Sequence, residues 1–157
     1  MNLEMNRKES SFTIGDTVVK VDVYKSTYEK QSIIDAALQN AYNEKMQRID
    51  RMIYDSTFYA LIVLRYTDLK FEGMEEMQIC DLYDLLETNG VIEKTIQAIS
   101  DVDHKEVKEL LNYADVAYEE FKESLNSAGA AINSLVVAIT QSMATAMSAA
   151  KVIEDNK

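Results

Sequence analysis

The pattern of apolar and polar residues begins with strict alternation near the N-terminus. In "SFTIGDTVVKVDV", Phe12 and Ile14 fall on one face of a short strand, and the valines at positions 19, 21 and 23 alternate with polar residues. Gly15-Asp16 separates the two runs and suits a tight two-residue turn. This alternation predicts a β-hairpin with one buried face.

The apolar spacing then becomes helical. Ser26 followed by Glu29 is a capping box, which predicts the start of a helix. We expect its apolar face to comprise Ile33, Ile34, Ala37, Leu38, Ala41 and Tyr42. A second helix is predicted from about Lys45 to Tyr66, and its centre "FYALIVL" is apolar nearly all round, as in a central core helix. Its predicted stripe is Ile49, Met52, Ile53, Phe58, Ala60, Leu61 and Leu64.

Three further helices are predicted after "TDLKFEG". The third runs from about Met74 to Thr88 and ends at Asn89-Gly90, a typical left-handed C-cap. We expect it to bury Met77, Leu82, Leu85 and Leu86. A short fourth helix, "VIEKTIQAI", places Ile92, Ile96 and Ile99 on one side. Asp101 or Asp103 then caps a long helix with apolar residues at Val107, Leu110, Leu111, Ala114, Tyr118, Phe121 and Leu125.

A stretch of 27 residues, from Ser124 to Ala150, contains no charged residue, and ten of its residues are Ser, Thr, Asn or Gln. It either continues the long helix or restarts it after Asn126–Gly129. Its apolar residues follow a heptad spacing of four and three. They form the predicted oligomer interface: Leu125, Ile132, Val136, Ile139, Met143, Ala146, Ala150 and Ile153.

This uncharged stretch has three interpretations: a membrane span, a flexible tail, or a helix covered by other protein. It is long enough to cross a bilayer, but its polar content and the lack of flanking aromatic and basic residues argue against that. The apolar heptad argues against a tail. A helix facing water normally carries charge on that side. We therefore expect neighbouring copies or another protein to cover it.

Together these elements predict a mainly α fold, a helical bundle with a short N-terminal β-hairpin and a long C-terminal helix. The chain has 157 residues, no proline and four glycines, which fits one domain of long helices. We expect a flexible N-terminus over 1–10, a helical domain over 11–125, and an uncharged C-terminal helix for oligomer packing over 126–157. The single cysteine excludes an internal disulfide, and no signal peptide is expected.

The net charge of −11 is concentrated in one part of the chain. Residues 72–123 carry 15 acidic and 4 basic residues, whereas residues 25–71 sum to +1. Nucleic-acid binding relies on Lys and Arg, so we expect no direct binding. The two segments could instead face each other between neighbouring copies in a ring, through Lys45, Arg48 and Arg51.

Candidate chemistry is sparse. His104 lies in the charged helix start "DVDHKEVKE", where a surface position is expected, and Cys80 is expected to be a small buried residue. Asp81 and Asp84 are three residues apart on a helix, but no Glu-x-x-His pair accompanies them. We expect no enzyme activity, no catalytic residue, no cofactor and no metal.

Three stretches, "VYKSTYEKQSIIDAALQNA", "YDLLETNGVIEKTIQAI" and "YEEFKESLNSAG", resemble small acidic virion-assembly proteins of tailed bacteriophages of Gram-positive hosts. The resemblance covers most of residues 20–130 and differs in the long continuation to Lys157. It implies a strand pair before a helix with a Lys-containing start, a Tyr-Asp-x-Leu helix ending in Asn-Gly, and a final helix with an aromatic followed by Ser. The matching positions are Tyr24, Lys30, Tyr83, Asp84, Leu86, Asn89, Gly90, Phe121 and Ser124.

The resemblance implies a non-enzymatic structural protein of the phage particle, in the head–tail connector, the neck or head completion. Its expected location is the virion, after assembly in the host cytoplasm. Its expected partners are other copies in a ring and virion proteins such as portal, capsid or tail components, without a membrane. Two alternatives stay open: an assembly chaperone that leaves the particle, and an acidic DNA-mimic inhibitor of a host protein.

Overall fold

The computed structural model describes the backbone of residues 8–155 and the side chains of residues 8–129. The fold is mainly helical, with an N-terminal hairpin and a long C-terminal helix, as predicted. The chain divides into two compact units, Met1–Glu119 and Glu120–Lys157.

The N-terminal hairpin pairs strand β1 (Glu9–Ile14) with strand β2 (Thr17–Asp22) in antiparallel register, with Ile14 opposite Thr17. Gly15 has a φ of 56°, which the first position of a tight turn of this kind requires. The side chains alternate as predicted: Val19 and Val21 are buried and Val18 is exposed. Strand β1 begins at Glu9, within the segment 1–10 that was predicted to be flexible. Residues 1–7 lie outside the described part.

Helix α1 (Thr27–Ala41) begins with the predicted capping box, in which Ser26 Oγ accepts from Glu29 N and the Glu29 carboxylate accepts from Ser26 N. The second helix, α2, spans Arg51–Tyr66 and so starts six residues later than predicted. The residues before it form a short antiparallel hairpin of strands β3 (Tyr42–Asn43) and β4 (Arg48–Ile49). The Asp50 side chain accepts from Ile53 N and caps α2.

The next elements are a single 3₁₀ turn (Met74–Glu76), helix α3 (Ile79–Thr88) and helix α4 (Val91–Val102). The third helix is therefore shorter than predicted. It buries Leu82 and Leu86, but Leu85 is 38% exposed, and Met77 precedes the helix and is exposed. The predicted Asn89-Gly90 terminus is confirmed, because Gly90 has a φ of 65°.

Helix α5 runs from His104 to Asp155 and is continuous through Asn126–Gly129. Of the two predicted caps, Asp103 is the one used: its Oδ1 accepts from Glu106 N at 3.3 Å.

The first unit has two hydrophobic clusters, and α2 contributes to both, which confirms it as the central core helix. One cluster joins α2 to α1, β2, the second half of α4 and the start of α5; the other joins α2 to α3 and the start of α4. The stripe predicted for α2 is only partly right, because Met52 lies in the first turn and is 77% exposed. The fully buried positions of α2 that the stripe missed are Tyr54, Thr57, Ile62, Val63 and Tyr66.

Candidate interaction surfaces

The predicted oligomer interface lies on α5. Leu125 is half-buried, and its neighbour Ser124 donates through Oγ to the Phe121 carbonyl at 2.7 Å. Asn126, Ser127, Ala128 and Gly129 are exposed. The other predicted interface residues fall within the bounds of α5, but their side chains lie outside the described residues: Ile132, Val136, Ile139, Met143, Ala146, Ala150 and Ile153.

A buried ion pair joins the start of α1 to the start of α5, and sequence reasoning did not find it. Lys30 Nζ lies 2.6 Å from Glu106 Oε2, with the two side chains 10% and 5% exposed. The other carboxylate oxygen accepts from Tyr66 Oη at 2.9 Å and from Lys25 N at 3.2 Å. The carboxylate is therefore hydrogen-bonded on both oxygens, as a buried charge must be.

Burial raises the pKa of the Tyr66 hydroxyl, and the nearby Glu106 carboxylate raises it further. The phenol therefore stays protonated and serves as a hydrogen-bond donor. Because the cluster is enclosed by α1, α2 and α5, it fixes the junction of three helices and is not open to a ligand.

Arg51 also ties two helices together within one chain. Its Nε donates to Asp55 at 2.9 Å, and its Nη2 donates to Asp115 at 2.8 Å. The guanidinium carbon lies 4.6 Å from the centre of the Tyr118 ring. The hydrogen bonds that the guanidinium donates to Asp55 and Asp115 raise its pKa above the ordinary value. Arg51 thus links α2 to the acidic segment of its own molecule, which leaves Lys45 and Arg48 as the free cations of the predicted ring contact.

Lys45 and Arg48 belong to the tip of the β3–β4 hairpin, which we call the tip (Glu44–Arg48). Both are exposed, and neither has an ion-pair partner among the described residues. Met46 lies between them and is 60% exposed. Its backbone N–H donates to Asn43 Oδ1 at 3.0 Å, which holds the tip in one conformation. An exposed apolar side chain between two free cations is suited to contact with an acidic partner.

An apolar groove of about 260 Å³ opens where α3 ends, next to the turn of the N-terminal hairpin. Its wall carries the half-exposed Leu85, and Lys70 and Asn89 lie among the apolar residues. The other apolar side chains that line it are Ile14, Leu69, Phe71, Leu86 and Val91.

The segment that contains α3 is acidic, although the charged side chain that lines the groove itself is that of Lys70. Residues 71–93 contain seven carboxylates and no Lys or Arg. All seven are exposed, and none forms an ion pair with another described residue. They are Glu72, Glu75, Glu76, Asp81, Asp84, Glu87 and Glu93.

The residues considered for chemistry are all at the surface. His104 is exposed, as predicted, and its Nδ1 lies 2.9 Å from Ser100 Oγ, a contact that sequence reasoning missed. A Ser–His pair needs a third group to orient the imidazole, and none bonds to His104 among the described residues. The contact therefore joins α4 to α5 across Asp103.

The buried position predicted for Cys80 is wrong, because the thiol is exposed. At 100° per residue, Leu82 and Leu86 turn inward from α3, and Cys80, two positions before Leu82, faces the opposite side.

The described residues lack two other features, a metal-binding cluster and a membrane-spanning helix. They contain no group of three or more His, Cys, Asp or Glu side chains placed to hold a metal ion. They also contain no helix long and apolar enough to cross a membrane.

No protein-family model, no curated protein and no solved structure matches this chain.

Proposed function

We propose that this protein is a non-enzymatic, oligomeric structural component of a tailed-phage particle, at the head–tail connector, the neck or a head-completion position. The observation that carries the proposal is the uninterrupted course of α5 through the uncharged stretch Ser124–Ala150. A helical stretch of 27 residues without a charge on any face is suited to burial between protein chains rather than to contact with water. Neighbouring copies, and the virion proteins to which they attach, are the proposed cover.

The resemblance to phage assembly proteins supports the same function. Three of its nine residues have structural roles: Lys30 and Leu86 are buried, and Gly90 has the left-handed backbone of a helix terminus. Such residues support a shared fold and a role in assembly, and they point to no catalytic group.

The test of the virion role is mass spectrometry of purified phage particles. A structural component is expected in the particles in stoichiometric amounts relative to portal or tail proteins. Expression in infected cells together with absence from purified particles would contradict the proposal and favour the assembly chaperone.

The unpaired carboxylates of residues 71–93 favour a second candidate, an acidic inhibitor that occupies the DNA site of a host protein. A row of exposed carboxylates can compete with phosphates for a basic groove. Pull-down from host lysate at low salt, with competition by duplex DNA, tests it. Recovery of a DNA-binding protein that DNA displaces would support the inhibitor.

A further inference from the structure

We propose that the apolar groove at the end of α3 binds the C-terminal end of a partner protein chain. The last side chain of that partner lies in the groove, and its terminal carboxylate lies at Lys70. The site is separate from the proposed packing of the uncharged helix, because the groove belongs to the first unit. Three features of the groove point to this partner: its open space, its single charge, and the unpaired main-chain groups beside it.

The groove has room for part of a ligand. Its volume of about 260 Å³ lies below the range of about 300–1,000 Å³ that is usual for pockets enclosing a whole small molecule. Leu85 in its wall is 38% exposed, and the lining residues Lys70 and Asn89 are exposed as well. An open apolar groove of this size suits one or two apolar side chains of a longer chain, whose burial there is favourable.

The charge of the groove is suited to an anion. Lys70 is the one charged residue among the described residues that line it, and it forms no ion pair with any described residue. Helix α4 begins at Val91, another lining residue, and no described side chain accepts from the first N–H groups of that helix. The positive end of the helix dipole also favours a negative group. A carboxylate next to an apolar side chain matches this arrangement.

Unpaired polar groups beside the groove favour a peptide over other carboxylates. The backbone N–H and C=O of Lys70 form no hydrogen bond with the described residues, and they belong to the irregular segment that follows α2. Asn89 donates through Nδ2 to the Leu85 carbonyl at 2.8 Å, which leaves its Oδ1 without a donor among the described residues. A peptide offers both N–H and C=O groups to such partners, whereas an alkyl carboxylate offers only its oxygens.

The acidic segment around α3 restricts which chain ends fit. Residues 71–93 carry seven exposed carboxylates and no Lys or Arg. At 100° per residue, Asp84 lies on the side of α3 opposite to Leu86, so its carboxylate does not line the groove. Charges farther along the partner come within reach of these carboxylates at low ionic strength. We therefore expect an apolar last residue that is preceded by neutral or basic residues.

Peptide binding to the full chain tests the site. The probe is the peptide acetyl-Lys-Ser-Val-Leu with a free carboxylate, compared with the same peptide as a C-terminal amide. In isothermal titration calorimetry at about 0.05 M salt, where screening is weak, the free acid is expected to bind at least about tenfold more tightly, because the amide lacks the charge that Lys70 attracts. Replacing the last Leu of the peptide by Asp is expected to weaken binding at least about tenfold.

Matched variants locate the binding. Lys70→Gln is expected to reduce the preference for the free acid to within about threefold, whereas Lys45→Gln, at an exposed lysine outside the groove, leaves it unchanged. Leu85→Asp is expected to weaken binding of the free acid at least about tenfold, and Met52→Asp, at an exposed methionine outside the groove, leaves it within about twofold. Circular dichroism checks that each variant folds. Lys70→Gln changes the ratio of two affinities measured on one protein, so it tests the site even if Leu85→Asp does not fold.

The outcomes separate this site from other occupants and from the proposed function. Equal binding of the acid and the amide, or a preference that Lys70→Gln leaves unchanged, overturns the site. Octanoate that binds as tightly as the free-acid peptide overturns the peptide as its occupant. Failure of peptide binding leaves the proposed oligomer standing, because the uncharged helix is not involved. A monomeric chain that binds the free acid through Lys70 supports the site and contradicts the oligomer.

Discussion

At the scale of single residues, Lys30 and Glu106 form the most buried ion pair among the described residues. Burying an ion pair costs desolvation energy that the mutual attraction and further hydrogen bonds must offset. Here Tyr66 and the backbone N–H of Lys25 supply those hydrogen bonds. The pair therefore specifies how α1, α2 and α5 meet.

Lys30→Met leaves the Glu106 carboxylate buried without its cation, so we expect the free energy of unfolding to fall by about 3–5 kcal/mol. Urea unfolding followed by circular dichroism measures it. The control is Lys105→Met, which breaks the exposed pair with Glu109 and is expected to cost less than about 1 kcal/mol. Equal losses for the two variants would show that burial of the Lys30 pair has no special role. The double variant Lys30→Met, Glu106→Gln is expected to lose less than Lys30→Met, since no unpaired charge remains.

The capping box at Ser26 predicts a pH dependence. Hydrogen bonds from the Ser26 backbone N–H and hydroxyl lower the pKa of Glu29. A lowered acid pKa stabilises the fold above the ordinary glutamate pKa of about 4.3, and that contribution is lost as the pH falls through the folded-state value. Glu29→Gln is therefore expected to be less stable than wild type by at most about 1 kcal/mol at about pH 7, and by less at about pH 3, because protonation of Glu29 removes the contribution of its charge. Urea unfolding at both pH values measures this, and a difference independent of pH would contradict the assignment.

At the scale of elements, the helix boundaries depend on backbone conformation as much as on apolar spacing. Gly90 ends α3 and starts α4 with a left-handed backbone. Gly129 instead lies inside α5, and its backbone φ is not positive. A side chain is therefore strained at position 90, whereas the helical backbone at position 129 accepts one.

Gly90→Ala is expected to destabilise the fold by about 1–2 kcal/mol, because an L side chain is strained at a φ of 65°. The measurement is the midpoint of urea unfolding. Gly129→Ala is the matched control: a Cβ there meets nothing within 4 Å, and alanine favours helix by up to about 1 kcal/mol. A gain in helical circular dichroism for Gly129→Ala, together with a loss of stability for Gly90→Ala, is the expected pattern. Equal effects at both positions would be inconsistent with these backbone assignments.

At the scale of the whole molecule, the division into two units predicts separable roles in folding and assembly. Among the described residues, the hydrophobic core lies between Val19 and Tyr118. The first unit therefore contains its own buried clusters, and the proposed packing of the uncharged helix between copies belongs to the second.

Deletion of residues 127–157 is expected to leave the free energy of unfolding of the remaining domain within about 0.5 kcal/mol, because the hydrophobic core of the described residues lies between Val19 and Tyr118. Assembly measured by light scattering is expected to be lost or strongly weakened. Loss of cooperative unfolding in the truncated chain would show that the second unit is needed for the fold. Full assembly without it would contradict the role proposed for the uncharged helix.

The elements that the sequence determines by itself are those with local causes. The hairpin follows from the alternation of Val19 and Val21 with polar residues and from Gly15 in the turn. The start of α1 follows from Ser26 and Glu29, and the end of α3 from Asn89-Gly90. Each depends on residues a few positions apart, so the stretch that encodes it can be read directly.

Tertiary structure alone decided what depends on residues far apart in the chain. Apolar spacing could not show that Lys30 is buried, since its partner Glu106 is 76 positions away. Apolar spacing could not place the start of α2 either, because the residues before Arg51 pair as strands β3 and β4 and do not extend the helix. The apolar groove has the same origin: it collects side chains from the hairpin, the segment after α2, α3 and α4, which only the packed fold brings together.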